Sequence, residues 1–325
     1  MSASTSLWFL SNPRKRSRGS NASLPTSFAE RGGNLRDQQS RNASWLCPSR
    51  SLYNSTAIPQ TKENDMILEG KNVVVCGVGP GLGREVAQAA LRDGANVVIG
   101  ARSEDKLQKT AQELDPTGKR VAAITVDITD TERCTNFLDE AAKRFGSVDA
   151  VVQVAAFDTQ MGTLATTSEK DWETCLNANV IGTMRIAKAA LPHFKASGGG
   201  SLVLVGSQSM WLSPPMPQIA YASSKGALVS SMYHLAEELG PDKIRVNMVI
   251  PTWMWGPPVE GYVKWQSKER GISEQAVIDE ITSGMPLGEI PKDDDVAEAI
   301  IFFCSDRARM ITGETLLVNA GEFMR

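Results

Sequence analysis

Histidine is scarce: the 325-residue chain has two, His193 and His234. Metal chemistry built on imidazoles and Ser-His-Asp hydrolysis both start poorly served, and both histidines read as structural or exposed. The five cysteines, Cys47, Cys76, Cys134, Cys175 and Cys304, are odd in number and widely spaced, with no Cys-x-x-Cys pair. That pattern argues against a disulfide framework or a zinc site and for a reducing compartment, with Cys76 and Cys175 as small buried hydrophobes. Strong charge of one sign is also missing. A net charge of -3 and a pI near 5.6 give no reason to expect nucleic acid or an anionic membrane as partner. No run of eighteen or more apolar residues exists, so no membrane span is expected and the chain reads as soluble.

What is present divides into two parts. Residues 1–65 are rich in Ser, Asn, Arg and Gln, without sustained periodicity, and read as a disordered extension. The basic, acid-poor "SNPRKRSRGS" leaves organelle targeting open, but no amphipathic Arg helix is evident, and a cytoplasmic location is the expectation. Asn21, Asn42 and Asn54 head glycosylation tripeptides, which arise by chance in such composition. Met66 opens "MILEGKNVVVCG" like a natural start, so the extension reads as dispensable or as an over-long gene product.

From residue 66 to 325, short apolar runs ("NVVVC", "NVVIG", "AAITV", "AVVQV", "SLVLV", "RVNMVI", "TLLVN") alternate with helical patterns. Runs without polar alternation suit strands buried on both faces. Seven of them predict a single doubly wound α/β domain of Rossmann type with a seven-stranded parallel sheet. After the first strand comes "CGVGPGLGRE", with Gly77, Gly81 and Gly83 and an extra Gly79. Placed before a helix expected from about residue 83 to 93, this spacing supplies a sharp strand exit, room for a diphosphate and close helix–sheet packing.

Far downstream, "YASSK" sets Tyr221 and Lys225 four apart on a helix, hence on one face. A neighbouring ammonium, together with the cation of a bound cofactor, should depress the phenol's pKa and let it exchange a proton with a carbinol or carbonyl. Together the glycine spacing and this motif resemble the short-chain dehydrogenase/reductase family, over residues 66–325.

The resemblance implies pro-S hydride transfer with Asn179, Ser207, Tyr221 and Lys225 as the catalytic set, Lys225 also binding the nicotinamide ribose. Ser209 is the fallback for Ser207, and Asn177 reads as a helix neighbour of Asn179. Cofactor contacts implied are Gly77, Gly81, Leu82, Gly83, Asp127, Ile128, Ala155 and Met254. Family members preferring NAD carry an acid where Ala101 stands, and the Arg102 that follows suits a 2′-phosphate, so NADP is expected over NAD, with a solvated helix-start arginine as the alternative. Departures are Gln153-Val154-Ala155-Ala156 for the usual Asn-Asn-Ala-Gly, and Pro251-Thr252 for Pro-Gly.

Trp253, Met254, Trp255 and Trp265, with Met210 and Trp211, suggest an apolar pocket for a bulky or ring-bearing substrate, or else plain core or subunit packing. The expected function is NADP(H)-linked oxidoreduction of a small-molecule alcohol or ketone. The rival is a non-catalytic dinucleotide-sensing or scaffold protein, against which the complete catalytic set argues. The resemblance further implies a homotetramer or homodimer, and no metal site is expected.

Overall fold

Each of the seven apolar runs forms a strand in the computed structural model, which describes residues 66–324; the expectations for residues 1–65 lie outside the described residues. The order along the chain is β1 (Asn72–Cys76), α1 (Leu82–Arg92), β2 (Asn96–Ala101), α2 (Glu104–Leu114), β3 (Val121–Thr125), α3 (Thr131–Phe145) and β4 (Ala150–Gln153). Then follow α4 (Glu169–Cys175), a π-helical stretch (Leu176–Ile181), α5 (Gly182–Ala196), β5 (Gly200–Val205), α6 (Ile219–Leu239) and β6 (Ile244–Pro251). The chain closes with α7 (Pro257–Arg270), α8 (Glu274–Thr282), α9 (Asp293–Cys304) and β7 (Thr315–Val318).

All neighbouring strands pair in parallel, in the order β3-β2-β1-β4-β5-β6-β7. Alternate residues of one strand therefore serve two cores. Val73 and Val75 pack with α1 and α9 through Val86, Ala90, Ile300 and Ile301. Val74 and Cys76 face Phe137, Ile186, Phe194 and Met232 from α3, α5 and α6. Burial on both faces is why these strands show no polar alternation. The chain reverses direction across the sheet between β1 and β4, and the cleft outside their carboxyl ends is where open α/β sheets take ligands.

Candidate active site

The glycine turn is built by exclusion of side chains. Gly77 leaves β1 at φ +105°, and a Cβ there would lie 2.2 Å from the Ala155 nitrogen. A Cβ on Gly83 would lie 2.2 Å from the Gly77 carbonyl oxygen. The turn is fixed by Gly77 and Val78 amides donating to the Gly100 carbonyl at 2.8 and 2.9 Å. The helix starts at Leu82 with Gly81 at its cap and no side-chain cap bond, so its first-turn amides face the turn as an anion would require.

Beside the turn opens a cleft of about 740 Å³, lined by Gly77, Gly79, Arg102, Asp127, Ile128 and Ala155 among others. That volume and the backbone cradle fit a dinucleotide. Arg102 is exposed at the exit of β2. Asp127 caps its own turn: Thr129 donates to Oδ1 from its hydroxyl at 2.7 Å and its amide at 2.9 Å. Those bonds, with a smaller contribution from Arg102, hold its carboxyl below the usual range. Met254, after β6, packs against the core that α1 and α9 share.

Tyr221 and Lys225 occupy the first two turns of α6. Lys225 is 3% exposed, and its Nζ donates to the Val205 carbonyl at the end of β5 at 2.8 Å, 5.6 Å from the centre of the Tyr221 ring. Burial brings its pKa down to about 8, against the pull of Asp158. Burial drives the Tyr221 phenol the other way, well above its ordinary value, while a hydrogen bond with Ser207 opposes the rise. The expected depression of the phenol is therefore not found in the protein alone, because desolvation of a phenolate outweighs the hydrogen bond. Asp158, on the cleft wall, adds negative potential that raises both groups.

Ser207 caps a short 3-10 turn after β5, with its Oγ 2.9 Å from Ser209 Oγ. The primary and fallback serines are thus partners. Asn179 sits in the π-helical stretch, 1% exposed. Its Oδ1 accepts from the Phe157 amide at 2.6 Å, and its Nδ2 donates to the Phe157 carbonyl at 3.0 Å and to Ser224 Oγ at 2.9 Å. Ser224 in turn donates to the Tyr221 carbonyl at 2.6 Å. Asn179 therefore ties the exit of β4 to the turn bearing the tyrosine, whereas Asn177 takes the guanidinium of Arg185.

At the first departure, the Gln153 amide folds back, Nε2 to the Ala155 carbonyl at 3.1 Å, leaving its buried Oε1 without a partner. At the second, Thr252 donates to Glu322. Trp253 and Trp255 pack with Met285 and Ile290. Trp253 touches Tyr262 and Tyr262 touches Trp265, with ring centres 5.1 and 6.0 Å apart. Trp211 stacks on Phe323 at 5.6 Å. His193 meets Asp139 at 2.9 Å and His234 is exposed. Among the described residues no group of three or more His, Cys, Asp or Glu could hold a metal ion, and no helix is long and apolar enough to cross a membrane.

A family model described as enoyl-(acyl carrier protein) reductase matches residues 77–322. Dehydrogenase/reductase SDR family member 4 of Mus musculus is 31% identical over 255 residues, which are 78% of this chain and 88% of the relative. The chain belongs to the short-chain dehydrogenase/reductase family. L-rhamnose 1-dehydrogenase (NAD(P)(+)) of Azotobacter vinelandii is 32% identical over 264 residues, covering 80% of this chain and 99% of the relative. Among solved structures, L-sorbose reductase from Gluconobacter frateurii, complexed with NADPH and L-sorbose, aligns with a TM-score of 0.75 at 25% identity over 80% of this chain and 99% of its own.

As a short-chain dehydrogenase/reductase the chain is an oxidoreductase by family. Its site also involves residues that the sequence reading passed over. Ser224 lies inside the quoted "YASSK" and could have been found there. Asp158 and Glu322 carried no local signal, since each reaches the site from a distant part of the chain.

Proposed function

We propose that this chain moves hydride between NADP(H) and a hydrophobic, ring-bearing alcohol or ketone, with Tyr221 exchanging the proton. The observation carrying this reading is the gathering of three side chains at the end of β5: Ser207 on the turn that follows the strand, the buried Lys225 ammonium donating to the Val205 carbonyl, and the Tyr221 ring 5.6 Å from that ammonium, with Ser207 opposing the rise in the phenol's pKa. When bound, the nicotinamide supplies or takes up the hydride. Tyr221, kept protonated by burial, donates to a carbonyl oxygen during reduction, and Ser207 donates to the same oxygen. Lys225 offers positive charge to the phenolate so formed. Asn179 fixes the backbone on either side, at Phe157 and through Ser224.

Gly77, Gly81, Leu82 and Gly83 are proposed to hold the diphosphate, Asp127 and Ile128 the adenine, Ala155 and Met254 the nicotinamide side, and Arg102 the 2′-phosphate. NADP is favoured by the exposed Arg102 at the exit of β2 and by the NADPH named with the L-sorbose reductase. A ring-bearing substrate is favoured by the aromatic groups Trp211–Phe323 and Trp253–Tyr262–Trp265. Residues 66–325 form the proposed catalytic domain. Leu176, Ile181 and Tyr233, exposed on the adjoining π-helical stretch and α6, support assembly as a homotetramer or homodimer.

NADPH and NADH oxidation is to be followed against cyclic ketones and, because two relatives named above act on sugars, against ketoses and aldoses, with the reverse reaction on the alcohols. Tyr221→Phe is expected to lower turnover by about 10²–10⁴-fold while cofactor binding stays intact. Equal turnover by that variant would remove Tyr221 from the reaction, and a preference for open polyols over cyclic ketones would overturn the substrate class.

A further inference from the structure

The end of the chain returns to the site. Asn319, directly after β7 and 5% exposed, donates from Nδ2 to Gln208 Oε1 at 2.6 Å and to the Phe323 carbonyl at 2.8 Å. Its Oδ1 accepts from the Gly321 amide at 3.1 Å, which shapes the reverse turn. Three residues on, Glu322 Oε2 accepts from Gln208 Nε2 at 2.9 Å and from the Thr252 hydroxyl. Both ends of the Gln208 amide are thus held by the C-terminal segment, and Gln208 is 4% exposed. Trp211 on the same 3-10 turn stacks on Phe323.

Gln208 directly follows Ser207, and Thr252 directly follows β6, where the chain departs for Trp253 and the α7–α8 segment. A carboxylate accepting from both joins the serine turn to the start of that segment. Charge-assisted bonds of this kind are shorter and stronger than neutral ones, and the Gln208 end of the pair is buried. The unusual threonine after Pro251 also gains a purpose, since glycine there would have no hydroxyl to donate.

We propose that Glu322 is a positioning residue for the reaction: through Gln208 and Thr252 it fixes the turn that aims Ser207 at the substrate oxygen. The inference rests on the reading of Ser207 given above. Without the carboxylate, the Gln208 amide keeps only the long 3.5 Å contact to the Thr252 hydroxyl, and the link from the C-terminal segment to the turn is left to Asn319 and Phe323. A misaimed hydroxyl costs more in the transition state than in the bound substrate.

The test uses the full-length protein and Glu322→Ala, Glu322→Gln and Thr252→Val, with two readouts. In turnover, Glu322→Ala should lose about ten- to hundredfold in kcat with a smaller change in KM and an unchanged NADPH Kd, and Glu322→Gln, which keeps an oxygen for both donors, should recover most of it. In hydrogen–deuterium exchange, amides of residues 207–212 should exchange faster in Glu322→Ala while residues 77–83 stay as they are. Thr252→Val should show a milder form of both effects and serves if Glu322→Ala does not fold. Equal damage by Ala and Gln together with loss of NADPH binding would reduce Glu322 to a structural role, and wild-type exchange at 207–212 would overturn the clamp. If the parent chain turns over nothing while exchange responds as described, the clamp on the turn stands, and the catalytic reading of Ser207 and Tyr221 on which its role in the reaction rests is what has failed.

Discussion

The two halves of the sheet approach their ligands by different means. On the side of β1, β2 and β3 the cleft is made of backbone: Gly77 at φ +105°, Gly83 packed on the Gly77 carbonyl, and the uncapped start of α1. Beyond β5 the site is made of side chains brought from afar, with Gln208 bonded to Thr252 and Glu322, and Asn179 to Ser224. A backbone cradle suits a group that many ligands share, such as the diphosphate proposed to sit there, and so needs only a fixed turn. A side-chain lattice can be altered one residue at a time to suit a substrate, at the cost of needing every member satisfied.

That contrast is sharpest at Gly83. Alanine there puts a methyl 2.2 Å from a backbone oxygen, where no flexible group can yield, so α1 must move off the sheet. The expected cost is about 3 kcal/mol, a fall in Tm of about 6–12 °C, together with loss of measurable NADPH binding. Thermal unfolding with and without NADPH would measure both. A variant as stable as the parent that binds NADPH equally well would show that the cradle tolerates a side chain.

The halves also differ in how much the sequence disclosed. A strand buried on both faces must be largely apolar, so the inner strands were legible, and the half-exposed edge strands β3 and β7 were legible as apolar runs in the same alternation with helices; the glycines were legible too, since their role depends on near neighbours. Tyr221 and Lys225 were legible as a pair because helical geometry alone makes them adjacent. The sign of the tyrosine's shift was not, since it depends on how deeply the finished fold buries the phenol. The π-helical register around Asn179 was equally hidden, and so was the destination of Thr252, seventy residues away at Glu322. Contacts between distant residues follow from the finished fold, and no local pattern encodes them.

A smaller effect is expected where the backbone cradle relies on a side chain. If Arg102 clamps a 2′-phosphate, Arg102→Ala removes a charged hydrogen-bonding partner, a loss of about 1.5–3 kcal/mol. NADPH should then bind about ten- to hundredfold more weakly and NADH about as before, as read by fluorescence titration of both. Equal loss for the two cofactors would make Arg102 an ordinary surface residue and leave the cleft without a basis for choosing between them.

The mildest perturbation lies where the second half touches the first. Asp293, at the start of α9, places its Oδ2 3.3 Å from where a Cβ on Gly81 would be and 2.8 Å from one on Gly256. Burial, with Glu85 and Asp294 nearby, lifts its pKa from 3.8 to about 6, even though a helix N-terminus favours the charged form. A raised carboxyl pKa means the folded chain keeps a proton that the unfolded chain has released, so stability falls as pH climbs from about 4 to about 6 and the full penalty persists above that. Because the group is only half-buried, solvent screens part of the penalty, leaving about 1 kcal/mol. Asp293→Asn should therefore match the parent near pH 4 and exceed it in Tm by about 2–4 °C above pH 6. It should also bind NADPH a few-fold more tightly at pH 7.5 than the parent, since a carboxylate beside Gly81 repels the diphosphate proposed to sit there. A Tm difference that does not change between pH 4 and pH 7 would show that Asp293 is already solvated, and that the two halves meet at the glycine turn without electrostatic strain.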